Sequence, residues 1–193
     1  MTMHKQKRGL LTMTAAVIGV VAAGLSLHAQ AAPPLTFKAT ASVKAPGKSA
    51  SVPTTIHIEK FVSDADRDKV VAAVKGAPGE AQKTLAAMPD IGYIAVGERK
   101  TPIKYAYARS TGGGRLITVV SSQPIYFIGG AEKNAKPKAG YDLGLALLVL
   151  DGNDTGDGEL APAVKLKVDA QGAIVTEDYG SEVVRLTKIA KGS

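Results

Sequence analysis

The chain contains no cysteine and no tryptophan, and it has three phenylalanines and three histidines in 193 residues. Without cysteine there is no disulfide framework, no thiolate metal site and no thiol nucleophile. Stability must therefore come from burying aliphatic side chains, with little aromatic help. Long apolar runs are equally scarce beyond Leu27. The longest, Leu143 to Leu150, is far short of the ~20 residues a membrane helix needs. No basic cluster interleaves with aromatics, so nucleic acid is not an expected partner.

What is present at the start is a targeting pattern. His4, Lys5, Lys7 and Arg8 form a basic head, and Gly9 to Leu27 is uncharged and apolar. Ala29-Gln30-Ala31 then gives the small-x-small signature of a signal-peptidase site, ahead of Pro33-Pro34. Residues 1–31 read as a signal peptide, and 32–193 as one exported domain, periplasmic or extracellular; an uncleaved anchor is the alternative. Removal would take Lys5, Lys7 and Arg8 but no acid, lowering the formal charge from +7 to +4. No transmembrane segment is expected after it.

The remaining chain alternates like half-buried strands at Leu35–Lys44 and Pro53–Val62. The period then changes. Ser63 followed by Asp66 makes a capping box, Val70, Val71 and Val74 form an apolar stripe, and Gly76 closes the helix. A second helix is expected after Pro78, with Ala81, Leu85 and Met88 inward. From Ile91 on come short apolar segments, at 91–98, 102–110, 114–122, 124–130, 141–150, 160–169, 172–179 and 182–190. Most are separated by Gly, Pro, Asn or Asp, and the gaps are too short for helical crossovers. The expected fold is α+β and mainly antiparallel. It is a strongly curved sheet or barrel of about 8–10 strands, with a two-helix insertion at about 63–89 after the second strand.

Candidate chemistry is sparse. In "DGNDTGDGE" (Asp151 to Glu159), Asp151, Asn153 and Thr155 fall on the first, third and fifth positions of a calcium loop, with Gly156 sixth. The twelfth position, which needs a bidentate Glu, is Pro162, and the flanks read as strands. The stretch is therefore expected to be a hairpin turn. A shorter calcium turn through Asp151, Asn153, Asp154 and Asp157 is the alternative. "TGGGR" (Thr111 to Arg115) runs into a strand and not a helix, which makes it a hairpin and not a phosphate cradle. His57 is the sole histidine after processing. Even with Glu59 on the same strand face, it leaves a zinc site short of ligands, and no G-x-S-x-G motif supplies a nucleophile. Glu177 and Asp178 are adjacent and point to opposite strand faces. Nothing in the sequence brings Glu98, Glu132 and Asp142 together. The loop Gly129–Gly140, with three lysines, reads as solvated; a lid or a contact with anionic lipid is its functional reading.

Side-chain size is more informative. Ile103, Tyr105, Tyr107 and Arg109 share one face of a strand. The strand 141–150 is apolar on both faces, with Gly144 and Ala146 on one of them. The small residues would sit under the packed helix pair or leave a cavity. Tyr105, Tyr107, Arg109 and Tyr126 are the candidate ligand-binding residues.

The run "GGGRLITVVSSQPIYF", after "SDADRDKVVAAV" and before "YGSEVVRLTKI", resembles a loose group of uncharacterised exported bacterial β-rich proteins. That group has no assigned activity, so the resemblance implies no site residues. The expectation is a non-enzymatic exported domain that binds a small, partly apolar molecule or lipid, or supports the cell envelope. The alternatives are a calcium-binding envelope protein and a hydrolase with a carboxylate-based site.

Overall fold

Two alternating runs open the structured part. β1 (Leu35–Ala45) and β2 (Lys48–Ile58) pair antiparallel along their whole length, from Leu35 opposite Ile58 to Ala45 opposite Lys48. In this computed structural model the described residues are 34–45, 48–127, 138–180 and 183–192. The expected signal segment, Glu132 and most of the Gly129–Gly140 loop lie outside them.

The expected helix pair follows. Asp66 N–H donates to Ser63 Oγ at 3.1 Å and Ser63 Oγ–H donates to Asp66 Oδ2 at 2.8 Å, so the box closes and α1 (Asp64–Lys75) begins. α2 (Glu80–Ala86) starts from Gly79, whose φ of +87° suits a residue without Cβ. Eight further strands follow among the described residues. They are β3 (Gly92–Val96), β4 (Arg99–Pro102), β5 (Tyr105–Thr111), β6 (Gly114–Ser121), β7 (Leu143–Asp151), β8 (Gly156–Val168), β9 (Ile174–Tyr179) and β10 (Val184–Lys191).

All pairings are antiparallel, in the order β4-β3-β2-β1-β10-β8-β7-β6-β5, with β9 also on β8. The two ends of this order are β4 and β5, which Ile103 and Lys104 alone connect. Nine flat strands would span roughly 38 Å at about 4.8 Å per gap. The three steps from Pro102 to Tyr105 reach at most about 11 Å. The sheet therefore has to curl, and it forms a half-barrel. Register shifts in β1, β7, β8 and β10 add local bend and twist. At the seam, Ile91 N–H donates to Ile103 O and Ile103 N–H to Gly92 O, while Lys104 N–H donates to Val120 O on β6. One dipeptide steps from the β3 edge to β6.

The curl makes two cores. Inside it lie Phe37, Ile56, Ile94, Ile117, Leu148, Leu160 and Leu186, all essentially inaccessible. Outside it, over β5 to β8, α1, α2 and β9 cover a second cluster that includes Val70, Leu85, Tyr105, Leu145, Val164 and Ile174. β8 serves both layers, pairing β10 through Gly156–Leu160 and β9 through Val164–Val168, with Pro162 between. β7 is sandwiched, and this explains its two apolar faces. Leu143 and Leu145 meet the helix side, and Ala146, Leu148 and Leu150 face the interior.

Three expectations change. The small residues of β7 neither lie under the helices nor leave a hollow. Gly144 and Ala146 face inward, where Ile125 is packed against Gly144. Ile125 belongs to Pro124–Phe127, a segment that alternates like a strand but joins no ladder; it fills the curl with Ile125 and Phe127. Finally, 102–110 is not one strand. The break at Ile103–Lys104 turns Ile103 into the inner core while Tyr105 joins the outer one.

Candidate functional site

Three of the four candidate ligand-binding residues meet in one place. Tyr105, Tyr107 and Arg109 project from the outer face of β5, and the neighbouring strand β6 adds Leu116 and Thr118 through the pairs Arg109–Leu116 and Tyr107–Thr118. α1 contributes Arg67 above them, and the β8–β9 turn closes the far side with Gln171, Gly172, Ala173 and Ile174. The cleft so formed holds about 20 Å³. That is room for about one water-sized group, against the ~300 Å³ or more of a site that engulfs a whole ligand.

Each wall has a local cause. The β8–β9 turn is held by Asp169, whose Oδ1 accepts from the backbone N–H of Gln171 and of Ala173, at 2.9 and 2.7 Å. α1 is docked by its valine stripe, with Val70 buried and Val71 and Val74 packed on the outer core. Tyr107 ties helix to sheet, because its hydroxyl donates to Asp64 Oδ1 at 3.1 Å and its ring lies 5.2 Å beneath the Arg67 guanidinium.

The lining carries positive charge, with Asp64 and Asp68 of α1 bordering it. Among the described residues two guanidinium groups line the cleft, and no carboxylate or imidazole does. Arg67 pairs through Nη2 with Asp68 at 2.6 Å, and that hydrogen bond holds it further toward its charged form. Its Nε is buried without an acceptor among the described residues. Tyr105 is 2% exposed, and burial pushes its hydroxyl well above the usual tyrosine range, so it remains a neutral donor. The cleft therefore presents positive charge and hydroxyl donors between apolar walls, with no general base among its lining residues.

Tyr126 lies apart from this group. Its ring sits under the Arg99 guanidinium at 3.8 Å, beside the β4 edge. Arg67, Thr118 and Gln171 were not candidates in the sequence. Arg67 falls three and four residues before Val70 and Val71, at the border of the helix's apolar stripe, and that spacing is the signal that could have found it.

The acidic stretch is the turn of the β7–β8 hairpin, and Asp157 already belongs to β8, opposite Val149. Asp151 is used by the turn itself. Its Oδ1 accepts from the N–H of Asn153 and of Thr155, and its Oδ2 from the Thr155 hydroxyl, at 2.8 to 2.9 Å. These bonds, those from Thr155 foremost, hold its carboxyl below the usual range. Asp154, at φ +60°, pairs with Arg115 at 2.8 Å. Among the described residues no three of His, Cys, Asp or Glu are gathered as metal ligands would be.

Other polar groups serve packing. His57 shares a 2.9 Å hydrogen bond with Thr36 and stacks on Tyr93, which lies under Lys100. Asp178 accepts from the Tyr141 hydroxyl, and Lys138 and Lys165 lie over the Tyr141 ring. No protein-family model, curated protein or solved structure matches the chain. Among the described residues no helix is long and apolar enough to cross a membrane.

Proposed function

We propose that this is an exported, non-enzymatic β-rich domain that binds a small, partly apolar molecule at the cleft between α1, β5, β6 and the β8–β9 turn. The observation that carries the reading is the convergence of Tyr105, Tyr107 and Arg109 with Arg67 around one recess that also has apolar walls, Leu116 and Ile174. The recess takes only the polar end of a ligand, and the remainder lies along the exposed face. Export is supported by the basic head, apolar stretch and Ala29-Gln30-Ala31 of the N-terminus.

The test is a thermal-shift screen with small amphipathic molecules, repeated on Tyr107→Ala. A ligand selective for the folded state at a hundred times its Kd stabilises by about 2.7 kcal/mol. A hit whose shift disappears in Tyr107→Ala supports the reading. A screen without any shift, or hits indifferent to Tyr107, would refute it.

A further inference from the structure

The same cleft carries a narrower conclusion, which rests on the binding reading above: we infer that it selects an oxyanion, a carboxylate or phosphate group, held between the guanidinium groups of Arg67 and Arg109. Two arginines face a recess of about 20 Å³ whose described lining includes no acidic side chain. Among the described residues Arg109 has no carboxylate within ion-pair distance, although it lines the same recess as Arg67. Arg67 is satisfied on its outer side by Asp68, while its buried Nε–H has no acceptor among the described residues. Buried donors are normally paired, and a guanidinium offers a planar fork that matches a carboxylate or phosphate edge. Two guanidinium groups lining one recess repel, Asp68 offsets Arg67 alone, and an anion placed there would relieve the remainder.

Neighbouring groups fit that occupant. The Tyr105 hydroxyl is kept protonated by burial and so is a donor. Tyr107 is already committed to Asp64, which holds its ring under Arg67. A neutral polar head would leave Arg109 without a counter-charge, since only Arg67 is paired, through Asp68.

The oxyanion could be a free anion or the head of an acidic amphiphile, and the probes separate these. Arginine Hε resonances of Arg67 and Arg109 are followed by NMR in the full folded domain during titration with inorganic phosphate, acetate, octanoate and octanol. The expected result is saturable movement of both resonances with octanoate and none with octanol. Arg109→Gln and Arg67→Gln should each weaken octanoate by about tenfold or more, the loss of a charge-assisted hydrogen bond. Phosphate or acetate binding as well as octanoate identifies a free oxyanion as sufficient; octanoate alone identifies the amphiphile. Octanol moving the same resonances as strongly as octanoate overturns the inference but leaves the binding cleft in place. Silence with all four probes overturns both. The wild-type comparison of octanoate with octanol decides the matter even if a variant fails to fold.

Discussion

Gly144 is pressed against Ile125: a Cβ at position 144 would stand 2.5 Å from Ile125 Cγ1 and 3.1 Å from the Ile125 backbone nitrogen. That contact lets an unladdered segment fill the inside of the curled sheet, and it makes the glycine a packing requirement. Gly144→Ala is expected to destabilise by about 1–3 kcal/mol through overpacking. Urea denaturation, with the m-value held constant as a check on the unfolded reference, measures this. A neutral result would mean that Ile125 does not occupy the interior.

The two cores should respond independently. Leu148→Ala empties the inner cluster, and Leu85→Ala removes the buried anchor of α2 in the outer one. Each is expected to lower stability by about 2–5 kcal/mol. Because they stand on opposite sides of the sheet, the double variant should lose close to the sum. If Leu85→Ala is neutral, the helix pair is not a cover for β5 to β8.

The turn carboxylate Asp151 gives a pH signature. Its folded pKa is depressed by hydrogen bonds from Thr155 and Asn153. It therefore contributes stability that is fully present above the ordinary Asp value of about 3.9, and that is lost as pH falls through the folded value. Asp151→Asn keeps an acceptor for the two N–H groups and should flatten the acid limb of a Tm-against-pH curve. An unchanged limb would place its source elsewhere.

Tyr141 and Asp178 bracket a wider window. The Tyr141 hydroxyl, with the Tyr179 N–H, lowers Asp178, and the accepted bond raises Tyr141. The pair's contribution is present between the ordinary Asp value of about 3.9 and the ordinary Tyr value of about 10. It fades below the first as Asp178 protonates, and above the second as Tyr141 ionises. Tyr141→Phe should diminish the losses at both ends of the Tm-against-pH curve. A curve that keeps both limbs at full size would dismiss the pairing.

Calcium is expected to have no effect on melting. Asp151 is engaged by its own loop and Asp154 by Arg115, so binding would require breaking contacts already made. Scanning calorimetry in millimolar calcium and in chelator should give the same Tm. A rise with calcium would show that the turn reorganises around the ion.

Much of the architecture was legible because it rests on local patterns. Ser63 and Asp66 announced α1, and the alternation of β1, β2 and β7 placed their buried faces. What stayed hidden was non-local. Period-two alternation runs unbroken from Ile103 into Tyr105, so nothing local reveals that the chain leaves one edge of the sheet and begins the other there. Ile125 and Phe127 alternate as strand residues do, yet their burial is inside the curl and not in a ladder. At the cleft, the tyrosines and Arg109 could be placed on one strand face. Arg67 could not join them, because its part depends on how α1 packs across β5.

The pairing of β1 with β10 has a kinetic meaning. Gly192 N–H donates to Thr36 O at 2.7 Å, so the first and last strands lie side by side at the centre of the sheet order. A chain made from its N-terminus would hold β4-β3-β2-β1 and β8-β7-β6-β5 as two arms joined only at the Ile103–Lys104 seam until β10 emerged. Such a high contact order predicts slow completion of folding. The eight-residue β10 is thus the piece that joins the two halves of the sheet order.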